Sequence, residues 1–129
     1  MSAETLELKL HRVVCEFTND EKPTYELVRK IICRLTGLTV EQFETKTRKR
    51  EIVQARQVSM WYFVKCKHKG VFLNSLDSIG YAHLKMDHAT VLHAARKVEN
   101  FLSINDEMLK PICVSLNKEL RNLNKHFVI

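Results

Sequence analysis

The amino-acid sequence predicts an all-α protein, and its 129 residues predict a single domain. Three observations favour helices. The chain has only 3 Gly and 2 Pro, which leaves little material for the turns of an all-β fold. Apolar residues recur three and four positions apart in successive segments, and residues that cap helices stand just before several of them. With 45% hydrophobic residues, the chain can bury one core.

The first four predicted helices occupy the N-terminal half of the chain. Residues 3–17 form an amphipathic helix, and a second helix with an apolar stripe over 28–35 stops at Gly37. A short third helix begins at TVEQ, residues 39–42, which has the spacing of a capping box. After the basic segment KTRKR, a long fourth helix runs from Glu51 to about Lys65.

Three more helices are predicted in the C-terminal half. Ser75 caps a short helix, and Asp87 stands at the N-cap of the next, whose apolar stripe runs from Val91 to Leu102. The last predicted helix covers residues 106–124, with Pro111 in its first turn, where proline is tolerated. The short helix, the tight connection HLK and the capped helix after it have the pattern of a helix-turn-helix, whose second helix meets base edges.

The charge of the chain favours an anionic partner. The 21 Lys and Arg against 15 Asp and Glu leave a formal net charge of +6. Nucleic acid and an anionic membrane surface both fit this charge, but no apolar run has membrane-spanning length. The four Cys form no CxxC pair, and the charged start MSAETLELKLHR is unlike a signal peptide. These features predict reduced thiols in a cytoplasmic protein that does not enter the membrane.

The segment KMDHATVLHAARK, residues 85–97, raises the question of a metal site or a catalytic pair. His88 and His93 are five positions apart and lie on different faces of a helix, whereas paired ligands need three or four. A zinc site from His83, Asp87 and His88 has no recognised spacing. The chain also lacks a G-x-S-x-G motif and a glycine-rich phosphate loop. We therefore predict no metal, no cofactor and no enzyme activity, and interpret the segment as a partner-binding helix.

Two segments of the chain carry a resemblance to a known family. SLDSIGYAHLKMDHATVLHAARKVE, residues 75–99, is similar to the signature SLxEIGxxFGGRDHTTVLHAxRKIE of the C-terminal DNA-binding domain of the bacterial chromosomal replication initiator, DnaA. KTRKREIVQARQVSM, residues 46–60, resembles that domain's basic loop and following helix, in the same order. The resemblance covers about residues 25–102. It implies an all-α domain related to the Trp-repressor type of helix-turn-helix, which binds double-stranded DNA at a short box.

The resemblance also implies which residues contact DNA. The family's basic-loop arginine, which enters the minor groove, corresponds to Arg48, and the major-groove reading residues correspond to positions 87–90. Gln57 lies beside Arg56 on the helix behind the loop, where a phosphate contact and a structural role are both open. The expected DNA-binding residues are Lys46, Arg48, Lys49, Arg50, Gln57, Lys85, Asp87, His88, Ala89 and Thr90. Lys65, Lys67 and Lys69 are expected to add contacts with the DNA backbone.

The chain departs from the family's pattern within the helix-turn-helix. Leu84 and Lys85 replace two glycines, which predicts a stiffer turn, and His83 replaces an aromatic residue. Met86 replaces an arginine and Ala89 a threonine, which leaves the target sequence open. The last two changes favour an alternative, a protein-interaction module that kept the fold and lost DNA specificity.

We expect sequence-specific binding of double-stranded DNA, in replication initiation or its regulation, with a transcription regulator as an alternative. The initiator's ATPase needs a Walker A motif, which does not occur in this sequence. The chain begins with Met and has an extra predicted helix at each end. We therefore expect a stand-alone monomer, bacterial or phage-encoded and associated with the nucleoid, with other replication or regulatory proteins as further partners.

Overall fold

The computed structural model describes residues 24–68, 71–72 and 74–123, and the helix predicted over 3–17 lies outside these residues. The described chain contains six helices and one pair of two-residue strands. In chain order these elements are α1 (Tyr25–Thr36), α2 (Val40–Glu44), α3 (Arg50–Lys65), β1 (Lys67–His68), β2 (Val71–Phe72), α4 (Leu76–Ala82), α5 (His88–Ser103) and α6 (Leu109–Leu123). The predicted all-α class is confirmed.

The helix ends follow the capping signals in the sequence. Gly37 ends α1 in the left-handed conformation, with φ of 76°. The predicted capping box of α2 is complete: Gln42 N donates to Thr39 Oγ1 at 3.0 Å, and Thr39 N donates to Gln42 Oε1 at 2.9 Å. Ser75 and Asp87 cap α4 and α5 with their side chains. These ends are therefore determined by residues within one turn of the cap.

The strand pair lies in the connection between α3 and α4. β1 and β2 are antiparallel, with Lys67 opposite Phe72 and His68 opposite Val71. Strands of two residues are too short to show a period-two hydrophobic pattern, which is why the sequence did not predict them.

Helix α3 runs through the centre of the described fold and contacts α1, α2, α4, α5 and α6. The aromatic residues Trp61, Tyr62 and Phe63 point in three directions, and all three are at most 1% exposed. The sequence alone predicts burial of at least one of them. All three are buried because five other helices pack against α3.

Helix α6 completes the same core from the C-terminal side. Its buried residues Leu109, Cys113, Leu116 and Leu120 belong to one hydrophobic cluster with residues of α1, α3 and α5. Asp106 accepts from the backbone N–H of the next helix, including that of Leu109 at 2.9 Å. The helix predicted over 106–124 therefore has a packing role in the fold. That the whole of 1–129 forms one domain stays a prediction.

No helix within the described ranges is both long enough and apolar enough to cross a membrane.

Candidate nucleic-acid interface

The turn between α4 and α5 brings the two helices of the helix-turn-helix together through their backbone. Met86 N donates to Gly80 O at 2.8 Å, and Lys85 N donates to Tyr81 O at 3.3 Å. A Cβ atom on Gly80 would lie 2.0 Å from Met86 O, so the turn can approach α4 this closely only at a glycine. Sequence reasoning did not single out Gly80, although it lies within the quoted signature segment.

Two residues of this turn adopt the left-handed backbone conformation without being glycine. Leu84 has φ of 64° and Lys85 has φ of 55°. These are the positions where the family pattern has two glycines. The conformation costs a residue with a Cβ atom about 1–2 kcal/mol. The chain therefore makes a left-handed turn at the glycine positions and stores backbone strain there.

His83 fastens the end of α4 to the central helix. Its side chain is buried; Nδ1–H donates to Ile79 O at 2.7 Å, and Nε2 accepts from the Ser59 hydroxyl at 2.6 Å. Burial lowers the pKa of His83, so the buried imidazole is neutral. Tyr25 packs edge-on against the ring at 5.9 Å between centroids. His83 thus takes the structural place of the aromatic residue in the family pattern.

The metal interpretation of this region finds no support in the geometry. Both ring nitrogens of His83 are engaged with protein groups. Across the described ranges, no group of three or more His, Cys, Asp or Glu residues could hold a metal ion. Asp87 instead serves the helix backbone.

The start of α5 is fixed by its cap and presented to solvent. Asp87 Oδ1 accepts from Thr90 N at 2.8 Å, and this hydrogen bond lowers the pKa of the Asp87 carboxyl. His88, Ala89 and Thr90 are all exposed, as a recognition helix requires. The buried stripe on the other face comprises Val91, Ala94, Ala95, Val98 and Leu102. The helix is therefore anchored by one face and free to contact a partner with its first turn.

The basic loop, residues 46–50, connects α2 to the first turn of α3, and its Lys and Arg side chains are exposed. Behind it, Arg56 is 5% exposed and donates through its two terminal nitrogens to Thr45 O at 2.8 Å and Thr47 O at 3.1 Å. Burial lowers the pKa of Arg56. Sequence reasoning placed Arg56 behind the loop and did not find this bracing role, which depends on where the two carbonyls point.

The basic loop lies beside α5, because residues of both line one open groove of about 370 Å³. Arg48, Arg50 and Lys97 contribute three cations, and none of the described residues that line the groove carries a carboxylate. Gln57 also lines it, although its side chain is largely buried. Lys97 was not among the expected contacts. The feature that could have indicated Lys97 is its position about three helical turns after the Asp87 cap, on the side of α5 that meets α3.

The expected lysines after α3 are placed differently. Lys65 forms an ion pair with Glu99 of α5, and both side chains are largely buried. This pair ties α3 to α5 and would have to break before Lys65 could contact a phosphate. Lys67 lies in β1, and Lys69 lies outside the described residues.

A capped, exposed helix start after a tight turn, with an arginine-bearing loop beside it, defines a class: DNA-binding domains of the helix-turn-helix type. The model of one family, described as the bacterial dnaA protein helix-turn-helix, matches residues 25–98. The chain belongs to this family. The resemblance seen in the sequence is thereby confirmed.

Several longer relatives are named chromosomal replication initiator protein DnaA. The chain is 36% identical over 118 residues to the chromosomal replication initiator protein DnaA of Flavobacterium psychrophilum, which covers 90% of this chain and 23% of that protein. It is 38% identical over 96 residues to the protein of that name from Porphyromonas gingivalis, and the match covers 73% of this chain and 19% of that protein. The protein of that name from Bacteroides thetaiotaomicron is 37% identical over 101 residues, which are 78% of this chain and 20% of that protein. The chain thus spans less than a quarter of each relative.

Proposed function

We propose that the protein binds double-stranded DNA at a specific sequence, with the start of α5 in the major groove and the basic loop in the adjacent minor groove. The observation that carries this proposal is the groove shared by Arg48 and Lys97. In support, residues of the basic loop and of α5 line one groove, and no carboxylate occurs among the described residues of its lining. Such a surface suits a phosphate backbone that passes between two grooves.

Base recognition falls to the first turn of α5. The imidazole of His88 can hydrogen-bond a base edge, and the methyl group of Ala89 can pack against the methyl group of thymine. Asp87 uses Oδ1 for the cap, and its other oxygen stays available to accept from a cytosine amino group. Thr90 has a hydroxyl that suits either a base or a phosphate.

Affinity comes mainly from cations that neutralise phosphates. Arg48 enters the minor groove, where a narrow A/T-rich segment concentrates negative potential. Lys46, Lys49 and Arg50 contact the flanking phosphates, and Lys85 contributes from the turn. Gln57 and Lys97 add contacts along the shared groove. Binding therefore weakens steeply as salt rises.

The biological role we propose is in the initiation of chromosome replication or in its regulation. The support is the printed name of the relatives, chromosomal replication initiator protein. The protein acts in the cytoplasm at the nucleoid and binds one box as a monomer. Other replication proteins that assemble at the same DNA are its further partners.

The test begins with selection of bound duplexes from a random pool, followed by titrations across a salt series. We expect Arg48→Ala and His88→Ala each to weaken specific binding by about 1–3 kcal/mol. Lys118→Ala is the matched control, because it removes an exposed cation from α6, far along the chain from both reading elements. If no duplex is bound at low salt, the DNA-binding proposal is wrong. An unchanged base preference in His88→Ala would remove α5 as the reading helix.

A further inference from the structure

Asp77 lies beside the first residue of the recognition helix. It is in the first turn of α4, and its Oδ1 is 3.7 Å from Nδ1 of His88. Both side chains are well exposed, at 86% for Asp77 and 68% for His88. Ser75 caps α4 by accepting from Ser78 N at 3.1 Å, so Asp77 is not needed as the cap. Its carboxylate is available to whatever lies against the start of α5.

A carboxylate at this position is costly on a surface that approaches phosphates. It repels the DNA backbone unless a hydrogen-bond donor offsets its charge. Asp87, the other acid at the start of α5, already accepts from the backbone of Thr90. Asp77 lies beside Nδ1 of His88, which can donate when it carries the ring proton. The distance of 3.7 Å is within the range of an ion pair and longer than a hydrogen bond.

The carboxylate decides which nitrogen of the imidazole carries the proton. A neutral imidazole has one N–H donor and one acceptor nitrogen, and a hydrogen-bonding partner selects the tautomer. A carboxylate beside Nδ1, as Asp77 is here, favours the proton on Nδ1 and leaves Nε2 as an acceptor. In the major groove an acceptor pairs with the amino groups of adenine and cytosine, whereas guanine and thymine offer acceptors at the equivalent edge.

We infer that Asp77 is a specificity-determining residue that holds His88 in the Nδ1–H tautomer, so that α5 selects an amino-bearing base where His88 meets the DNA. The inference rests on the proposed function, since it requires that His88 faces a base. Asp77 touches no base in this arrangement and acts through His88.

The experiment uses duplexes that carry each of the four base pairs at the position whose preference His88→Ala abolishes. Titrations are made at pH 8, where an imidazole is ordinarily neutral. In Asp77→Ala, we expect the preference for the amino-bearing base to fall by about fivefold to tenfold. Affinity for random duplex should rise by about twofold, because one negative charge leaves the DNA-facing surface. A loss of folding would lower both quantities, so the opposite signs identify the effect.

Two variants control the result. Asp77→Glu keeps a carboxylate near His88 and should restore most of the preference. Glu107→Ala removes an exposed carboxylate beyond the far end of α5 and should change neither quantity. A double-mutant comparison completes the test: in a His88→Ala background, Asp77→Ala should leave the base preference unchanged.

The outcomes separate this inference from the proposed function. If His88→Ala removes a base preference and Asp77→Ala leaves it intact, the role of Asp77 is wrong while the recognition helix stands. The same conclusion follows if Asp77→Ala changes the base preference as much in the His88→Ala background as it does in the unsubstituted protein. If His88→Ala changes no preference at any position, α5 does not read bases, and the proposed function fails together with this inference.

Discussion

The basic loop and the turn between α4 and α5 are both fastened to α3, but different interactions hold them in shape. The loop depends on one side chain, because Arg56 donates to the carbonyls of Thr45 and Thr47. The turn depends on its own backbone, where Met86 N donates to Gly80 O at a distance of 2.8 Å. The loop is thus shaped by polar contacts to a neighbour, and the turn by close approach of the chain to itself.

Because of this difference, substitutions in the turn and in the loop should affect stability and DNA binding to different extents. The turn is continuous with the core, since Ile79 before it and Val91 after it are fully buried. A change there alters folding and binding together. The loop lies at the surface, and its own side chains are exposed. A change in the loop's support can move Arg48 with a smaller effect on the core. Four predictions test this contrast, in order of decreasing effect.

Gly80→Ala should have the largest effect. The new Cβ atom would lie 2.0 Å from Met86 O and 2.9 Å from Met86 C, and backbone atoms cannot yield cheaply. We expect the free energy of unfolding to fall by about 3 kcal/mol, the upper end for overpacking, as measured by urea denaturation. Gly37→Ala is the control: nothing lies within 4 Å of its Cβ position, and only the left-handed φ of 76° is unfavourable. Its expected loss is about 1 kcal/mol. Equal losses would contradict the close-approach argument.

Arg56→Lys should weaken both binding and stability, with a smaller loss of stability than Gly80→Ala. Lysine keeps the charge but cannot donate to both Thr45 O and Thr47 O in the geometry of the guanidinium. We expect a loss of about 1–2 kcal/mol in unfolding free energy. Specific affinity should fall by about tenfold, because Arg48 is no longer held in place. Arg34→Lys, in a surface pair with Glu119, should change neither. Unchanged affinity in Arg56→Lys would show that the loop keeps its shape without the brace.

The buried His83 should make the stability of the turn depend on pH. Burial is the main cause of its lowered pKa, and the nearby guanidinium groups of Arg56 and Arg29 act in the same direction. The imidazole of His83 therefore binds a proton more readily in the unfolded chain than in the folded one. Stability is full above about pH 6.5 and falls as pH drops below it, by up to about 1.4 kcal/mol per unit.

Thermal unfolding between pH 8 and pH 5 checks this dependence. His83→Phe combined with Ser59→Ala removes the imidazole without leaving the serine hydroxyl unsatisfied, and should flatten the profile. His93→Gln changes an exposed imidazole and should leave the profile as it is. A profile that stays steep in the double variant would assign the titration to another group.

Lys85→Gly should give the smallest change, and a favourable one for folding. Glycine adopts the φ of 55° without strain, while it adds entropy to the unfolded chain, so we expect a gain of about 0.5–1 kcal/mol. DNA affinity should fall, since a cation leaves the reading surface. Asn105→Gly is the matched control, because Asn105 has the same φ of 55° and asparagine tolerates it. A loss of stability in Lys85→Gly would mean that the lysine is not strained.

Much of this fold could be predicted because its signals are local. The capping box at Thr39 and the cap at Asp87 involve residues three positions apart. The stripe from Val91 to Leu102 follows the helical period and was predicted as the buried face of α5. The two-residue strands escaped prediction because a pair that short has no periodic signal.

The candidate site was predictable in part for the same reason. The order of the two signature segments identified the family, and the exposed start of α5 is where the pattern placed it. The placement of Lys65 against Glu99 was not predictable, since their positions are 34 apart in the chain and meet only when α3 packs on α5. The expected DNA contacts themselves stay predictions for the binding experiments.

The sequence by itself determined the helices within the described residues, several of their caps, the basic loop and the family. These follow from hydrophobic period and from hydrogen bonds within a turn, which short segments specify on their own. The tertiary structure alone decided that Arg56 braces the loop, that His83 is a neutral buried link to Ser59, and that Asp77 lies beside His88. Each of these depends on which distant segments pack together, and on the desolvation and direction of polar atoms once they do.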